Sequence, residues 1–217
     1  MVDEIVNSLS QEAALDRGLL VIGQGARVAP TVRIIPNEDN GQHFGPVKIG
    51  ADTVIREGVI LSTGVQIGSR VLVGHHCVLR RSVQIGNDCV LSHLVSVQHD
   101  VVVGDRVRIS SLTHITGGSI IEDDVQIGAG VATVDDNSME WPNPPELRGS
   151  IFRQGCRVGS GVTILGGLEI GRNTLIGAGS VVTRSIPDNV IAFGNPAYIH
   201  RDRTVPVEVS QSFAPSE

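Results

Sequence analysis

The sequence predicts an all-β protein, a parallel coil of short strands wound three to a turn, with a short N-terminal helix and a C-terminal tail. Three observations predict it. Aliphatic residues recur at every sixth position over fourteen steps: Ile49, Ile55, Leu61, Ile67, Val73, Leu79, Ile85, Leu91, Val97, Val103, Ile109, Ile115, Ile121 and Ile127. The position two residues before each is small or β-branched throughout, from Val47 and Thr53 to Ser119 and Val125. Aromatics are only 3% of the chain, while 66 of its 217 residues are Val, Ile or Leu and 26 are Gly. Branched aliphatics without rings suit many thin, similar layers.

Physically, a six-residue unit is one short strand and one turn. The aliphatic residue points into a narrow axis, the small residue fills the corner beside it, and Gly or a polar residue makes the bend. Three units close a triangular coil of eighteen residues, so each strand pairs in parallel with the strand eighteen residues on and the backbone is satisfied between coils. The step returns at Val158, Ile164, Ile170, Ile176 and Val182, and a shorter stretch, Ile22, Val28 and Ile34, precedes the main run. About 22 units make roughly seven coils. The two breaks in frame mark insertions at 36–46 and 134–150. The pattern resembles that of left-handed parallel β-helices built from hexapeptide repeats, which break the usual right-handed crossover rule.

Residues 1–20 read as an N-terminal helical cap, with a helix over 8–17 started by Ser8, with Gln11 three residues on, and stopped at Gly18. The coil occupies 21–201, and 202–217 form a tail without periodicity. Cys77, Cys89 and Cys156 fall in the small-residue column and read as buried fillers, not as nucleophiles or metal ligands; no metal site is expected. The net charge of −6 argues against nucleic acid or an anionic membrane as partner. No apolar stretch reaches a membrane span, and the acidic start of the chain does not read as a secretory signal. With an odd number of cysteines, the expectation is a cytoplasmic protein.

The stretch GAGSVVTRSIPDNVIAFGNPAYIHR (177–201) resembles the C-terminal signature of hexapeptide acyltransferases that use acetyl-CoA. The segment VQHDVVVGDRVRIS (97–110) resembles that around the catalytic histidine of sialic-acid and bacillosamine-type sugar acetyltransferases. TVDDNSMEWPNPP (133–145) matches in position a loop of nucleotide-amino-sugar N-acetyltransferases. The resemblance implies acetyl transfer from acetyl-CoA to the amine of a nucleotide-linked amino sugar by direct attack. His99 would be the general base, and Asp100 is the nearest carboxylate to orient it. It implies a homotrimer with pantetheine in a groove between subunits, near Gly159, Gly177 and Ala178, adenine near Pro196, and Arg184 or Arg201 near a phosphate. The relatives carry a substantial N-terminal nucleotide-binding domain, whereas only about twenty residues precede the first hexad here. Nucleotide contacts must then come from loops, or the acceptor is smaller.

The remaining candidates are sorted by register. His93 and His99 each follow an inward aliphatic by two positions and stand at turns; His75 lies eighteen residues before His93, Arg81 eighteen before His99 and Gly117 eighteen after it. His114 points outward from a strand. With Asp135, Asp136 and Trp141 of the long insertion, His93 and His114 are the candidate acceptor contacts. Two other readings stay open: an O-acetyltransferase acting on a sugar or small-molecule hydroxyl, and a non-catalytic scaffold. A zinc-dependent γ-type carbonic anhydrase fits poorly, because no trio of histidines has its spacing. Galactoside- and maltose-type O-acetyltransferases place a histidine in the loop where this chain has Asp135 and Asp136.

Overall fold

In the computed structural model, which describes residues 8–36, 44–140 and 146–204, the chain winds as a left-handed parallel β-helix. Twenty-four short strands, from β1 (Leu20–Ile22) to β24 (Val181–Val182), form three parallel faces of eight strands each. Eight coils result, one more than the repeat arithmetic suggests. The strands outside the repeat count are β18 (Ala132–Thr133) and β19 (Ile151–Phe152), at the two roots of the second insertion; the first coil, the Ile22, Val28 and Ile34 stretch, pairs in register with that of Ile49, Ile55 and Leu61. The second face continues into an antiparallel hairpin of β25 (Val190–Gly194) and β26 (Ala197–Asp202). Asp202, assigned to the tail by periodicity, thus closes a strand, and residues 205–217 lie outside the described residues.

The axis is what the hexad pattern demands. The fourteen aliphatic positions are at most 4% exposed, and the small-residue column beside them is equally buried. Polar members of that column are satisfied locally. Thr53 Oγ1 donates to the Gly68 carbonyl and accepts the Val71 N–H, and Thr113 does the same one and then the other with Gly128 and Val131. Cys77 donates its thiol to the Ser92 carbonyl and Cys89 to that of Gly104. Burial pushes the Cys89 thiol up to about 11 and that of Cys156 to about 12, so neither is a thiolate at neutral pH.

The first coil is closed by α1 (Gln11–Asp16). Its N-cap is Ser10, whose hydroxyl accepts the Ala13 N–H, and not Ser8. Gln11 therefore opens the helix, and its side chain reaches the Ala29 carbonyl. Ala14 and Leu9 from this segment cover the end of the axis. A solenoid needs such a cap, because its terminal layer has no neighbour to bury it.

Chain winding defines three edges. The first edge, between the first and second faces, is a ladder of charge. Arg70 pairs with Asp88 and Arg106 with Asp124, each pair stepping up one coil, and Arg153 bridges Glu122 and Glu169. Beside them Asn87, Asp105 and Asp123 each accept the corner N–H of the coil below. These guanidinium bonds hold Asp88, Asp124, Glu122 and Glu169 below the usual carboxylate range.

A carboxylate whose pKa falls on folding contributes stability above its ordinary pKa and loses it as the pH drops through the lowered value. The melting temperature should therefore fall as the pH goes from about 5 to 3, less steeply in molar salt; a flat profile would show the ladder to be energetically idle. Ile109→Asp should destabilise by several kcal/mol, since it places a charge in the axis, whereas Cys89→Ser should be much milder. An unchanged melting temperature for Ile109→Asp would contradict the inward register.

Candidate active site

The third edge, where the third face turns back to the first, differs from the first. Both insertions leave the coil there. The first departs after Ile35, and its roots are tied to the next coil: Thr63 Oγ1 donates to the Pro36 carbonyl and the Gly64 N–H to that of Gly45. The second departs after Thr133 and rejoins at Ser150. Between them the corner column reads Thr63, Arg81, His99, Gly117, Asp135, then Gly166. At the usual strand spacing, His99 sits about 14 Å above the first root and about 10 Å below the second.

His99 and Asp100 form a pair, with Nδ1 2.9 Å from Asp100 Oδ2. In an extended strand adjacent side chains would point apart. Here Asp100 has a left-handed backbone (φ 59°), which brings its carboxylate beside the ring. A carboxylate accepting from Nδ1–H leaves Nε2 with its lone pair. The His99 side chain is 35% exposed and that of Asp100 54%. Arg81, only 17% exposed, holds its guanidinium over the Phe44 ring at 5.4 Å and reaches within 4.0 Å of Asp100 Oδ2.

The ring of His99 occupies the space of an absent side chain. A Cβ on Gly117 would lie 2.8 Å from His99 Cε1 and 3.0 Å from Nε2. Only glycine at 117 tolerates the ring in this place. Elsewhere the corner N–H is capped by the side chain of the next coil, as Asn87 caps Ser69. Glycine at 117 offers no such cap to His99, and among the described residues neither the His99 nor the Gly117 N–H has an acceptor.

The foot of the second insertion is pinned above this point. Asn137 exchanges two bonds with Gly166, accepting its N–H at 2.8 Å and donating to its carbonyl at 3.1 Å. The Asp136 carboxylate caps Ser138 and Met139. Asp135, Asn137, Ser138, Glu146, Arg148 and Gly166 line a cavity of about 260 Å³. Trp141 lies outside the described residues.

The other candidates are on the second edge or near it. Gly159, Gly177 and Ala178 line one groove of about 380 Å³ along the second face, together with Arg108, Gln126 and Arg157. Phe193 crosses the end of that groove, its Cβ 2.7 Å from where Gly177 would carry one, and stacks on His200. Pro196 lies in the hairpin turn beyond. Arg184 packs over Tyr198 at 4.8 Å and Arg201 pairs with Ile191 in the hairpin; the arginines that line the groove are Arg108 and Arg157, the latter with its guanidinium on the Asp124, Gly155 and Cys156 carbonyls. His93 stacks on His75 at 5.3 Å and accepts its N–H through Nδ1. His114 is half-buried on the third face, between the two edges. No three His, Cys, Asp or Glu side chains among the described residues are grouped to hold a metal ion.

Register alone had placed Arg81 and Gly117 in the His99 column. Phe44 lies outside it, since an insertion has no register, and no motif marks Arg108, Gln126 or Arg157.

The bacterial transferase hexapeptide family, in its six-repeat form, matches residues 46–81, 82–117 and 149–184. The galactoside O-acetyltransferase of Lactococcus lactis is 57% identical over 44 residues, 20% of this chain and 21% of that one. The dTDP-3-amino-3,6-dideoxy-alpha-D-galactopyranose 3-N-acetyltransferase of Aneurinibacillus thermoaerophilus is 45% identical over 56 residues, 26% of this chain and 29% of that one. The chain thus spans less than a third of the length of these curated relatives. Among solved structures, the UDP-N-acetylglucosamine acyltransferase of Francisella novicida superposes with a TM-score of 0.64 at 15% identity, covering 84% of this chain and 68% of that one, a likeness of fold. By its three blocks of six-residue repeats and the coil they build, the chain belongs to the hexapeptide-repeat transferases.

Proposed function

We propose that the protein is an acetyl-CoA-dependent acetyltransferase acting on the amine of an amino sugar, nucleotide-linked as in the 3-N-acetyltransferase relative. The observation that carries the reading is the His99–Asp100 pair, set at a corner with Nδ1 on the carboxylate and the ring lying over Gly117. Asp100 holds the tautomer. His99 Nε2 takes the proton from the amine as its nitrogen bonds to the acetyl carbonyl carbon. The His99 and Gly117 N–H groups are the donors on hand for the oxyanion. On collapse the C–S bond breaks, and the imidazolium returns its proton to the departing thiolate. Three cysteines that are buried and not thiolates supply no acyl-enzyme route, which favours direct transfer.

In one chain the His99 edge and the groove of Gly159, Gly177 and Ala178 flank opposite sides of the third face. A cyclic trimer makes heterologous contacts, which bring one edge of a subunit against a different edge of the next. We place acetyl-CoA in the groove of one subunit and the base on its neighbour. No helix among the described residues is long and apolar enough to cross a membrane.

His99→Asn should fold normally and bind acetyl-CoA as the parent does. It should lower kcat about 10²–10⁴-fold, with little change in KM, and abolish the acid limb of the pH–rate profile. CoA release measured against a panel of nucleotide-linked amino sugars and of plain sugars identifies the acceptor; turnover on hydroxyl acceptors alone would assign O-acetylation. Retained kcat in His99→Asn would remove the base from this edge. Sedimentation should give about three times 22.9 kDa, and an active monomer would sink the shared site.

A further inference from the structure

The second insertion is wired at both roots to the turn that faces His99. The Thr116 N–H donates to Thr133 Oγ1 at 2.7 Å, and the two hydroxyls are 3.0 Å apart. At the other root the Ser150 N–H donates to Ser119 Oγ at 3.3 Å. Ser119 Oγ in turn donates to the Thr116 carbonyl at 2.8 Å, closing the turn Thr116–Gly117–Gly118–Ser119. The four residues are at most 5% exposed. Thr133 stands in the inward column that holds aliphatics for the fourteen steps before it. Ser119 stands in the small-residue column.

A hydroxyl in an aliphatic axis is costly unless bonded. Elsewhere in the coil Thr53, Thr113, Thr174 and Ser180 each donate to a backbone carbonyl. Here four polar residues from three coils gather at one corner and bond to one another, an arrangement that fixes direction as well as place. The turn they hold carries Gly117, whose missing side chain is replaced by the His99 ring.

We propose that Thr116, Ser119, Thr133 and Ser150 are positioning residues: a buried network that holds the Gly117 turn in register with the foot of the 134–150 insertion and so fixes the His99 ring. For its consequence in turnover, the inference rests on the reading of His99 as base. The positioning itself is independent of that reading. An acceptor that engages the insertion then acts on the same rigid unit as the ring that receives its proton.

The test follows the His99 ring directly, by NMR of protein labelled at histidine Cε1 and without ligand, the resonance assigned through its loss in His99→Asn. Thr133→Val keeps shape and removes the hydroxyl; Thr133→Ser restores it. The His99 resonance and its titration should move in Thr133→Val and return in Thr133→Ser, whereas those of His75 and His93 stay put. With the acceptor found by the panel, kcat should fall about 10- to 100-fold in Thr133→Val, with KM for acetyl-CoA unchanged and activity restored in Thr133→Ser. Ser119→Ala, read in the same way, decides the matter if Thr133→Val does not fold. A His99 resonance that is unmoved in a folded variant overturns the proposal. If the resonance moves as expected but His99→Asn keeps its kcat, the positioning network stands and the general-base reading falls.

Discussion

The narrow axis is the constraint on which the rest depends. Each coil has room for one branched aliphatic residue per face and a small residue in each corner, and the fourteen-step ladder from Ile49 to Ile127 fills it without a break. Parallel pairing between coils then places residue i beneath residue i+18, as Gln84 lies beneath Val102. Every outward position thereby becomes a column with one chemical environment. The few aromatics of the described residues sit at the margins, where layers are irregular: Phe152 follows the second insertion, Phe44 ends the first, and Phe193 and Tyr198 belong to the terminal hairpin.

The three edges divide the remaining work. On the first, alternating Arg and Asp bond coil to coil, and Asn or Asp side chains cap the N–H groups below. Such exposed pairs each contribute little, and the caps close the corner N–H groups of Ser69, Asn87 and Asp105. On the second, Gly128, Gly159 and Gly177 strip the corner down to backbone and open a groove. The third accepts both insertions. An insertion at a corner leaves strand pairing intact, since Val47 still pairs with Leu20 and Ile151 with Ile120 across the added residues, and the entropy of lengthening a loop grows slowly. Both insertions therefore have their roots on the edge of His99.

Much of this was legible in the sequence because the repeat is arithmetic. The ladder, the buried cysteines and the stacking of His75 under His93 follow from counting by six and eighteen, and so does the place of Arg81 and Gly117 in the His99 column. The charge ladder was equally countable, through Asp52, Arg70, Asp88, Arg106 and Asp124, but no motif drew attention to it. What could not be counted depends on the insertions and ends. The second insertion changes the pairing offset from eighteen to thirty-one, so that Ile121 meets Phe152, and this hides the meeting of Ser119 with Ser150. The helix start slipped from Ser8 to Ser10 because two serines two residues apart offer the same capping chemistry, and only the contact of Leu9 with Ile34 selects between them. The His99–Asp100 contact needed the left-handed φ of Asp100, a backbone fact that strand alternation argues against.

A repeat fold makes a site by breaking one of its columns. On the first edge Asn87, Asp105 and Asp123 each close the corner N–H beneath them. At Gly117 the side chain is missing, and three consequences follow from that one absence. The His99 ring lies in the space, with Nδ1 on the Asp100 carboxylate. The His99 N–H loses the cap that a longer residue at 117 would give it. The turn, without side-chain packing of its own, must be held from inside, which is what Ser119 and Thr133 do through Thr116. A ring with one nitrogen on a carboxylate, two backbone donors without an acceptor and a turn braced from the axis come together at Gly117, the glycine of the His99 column that lies directly above the ring.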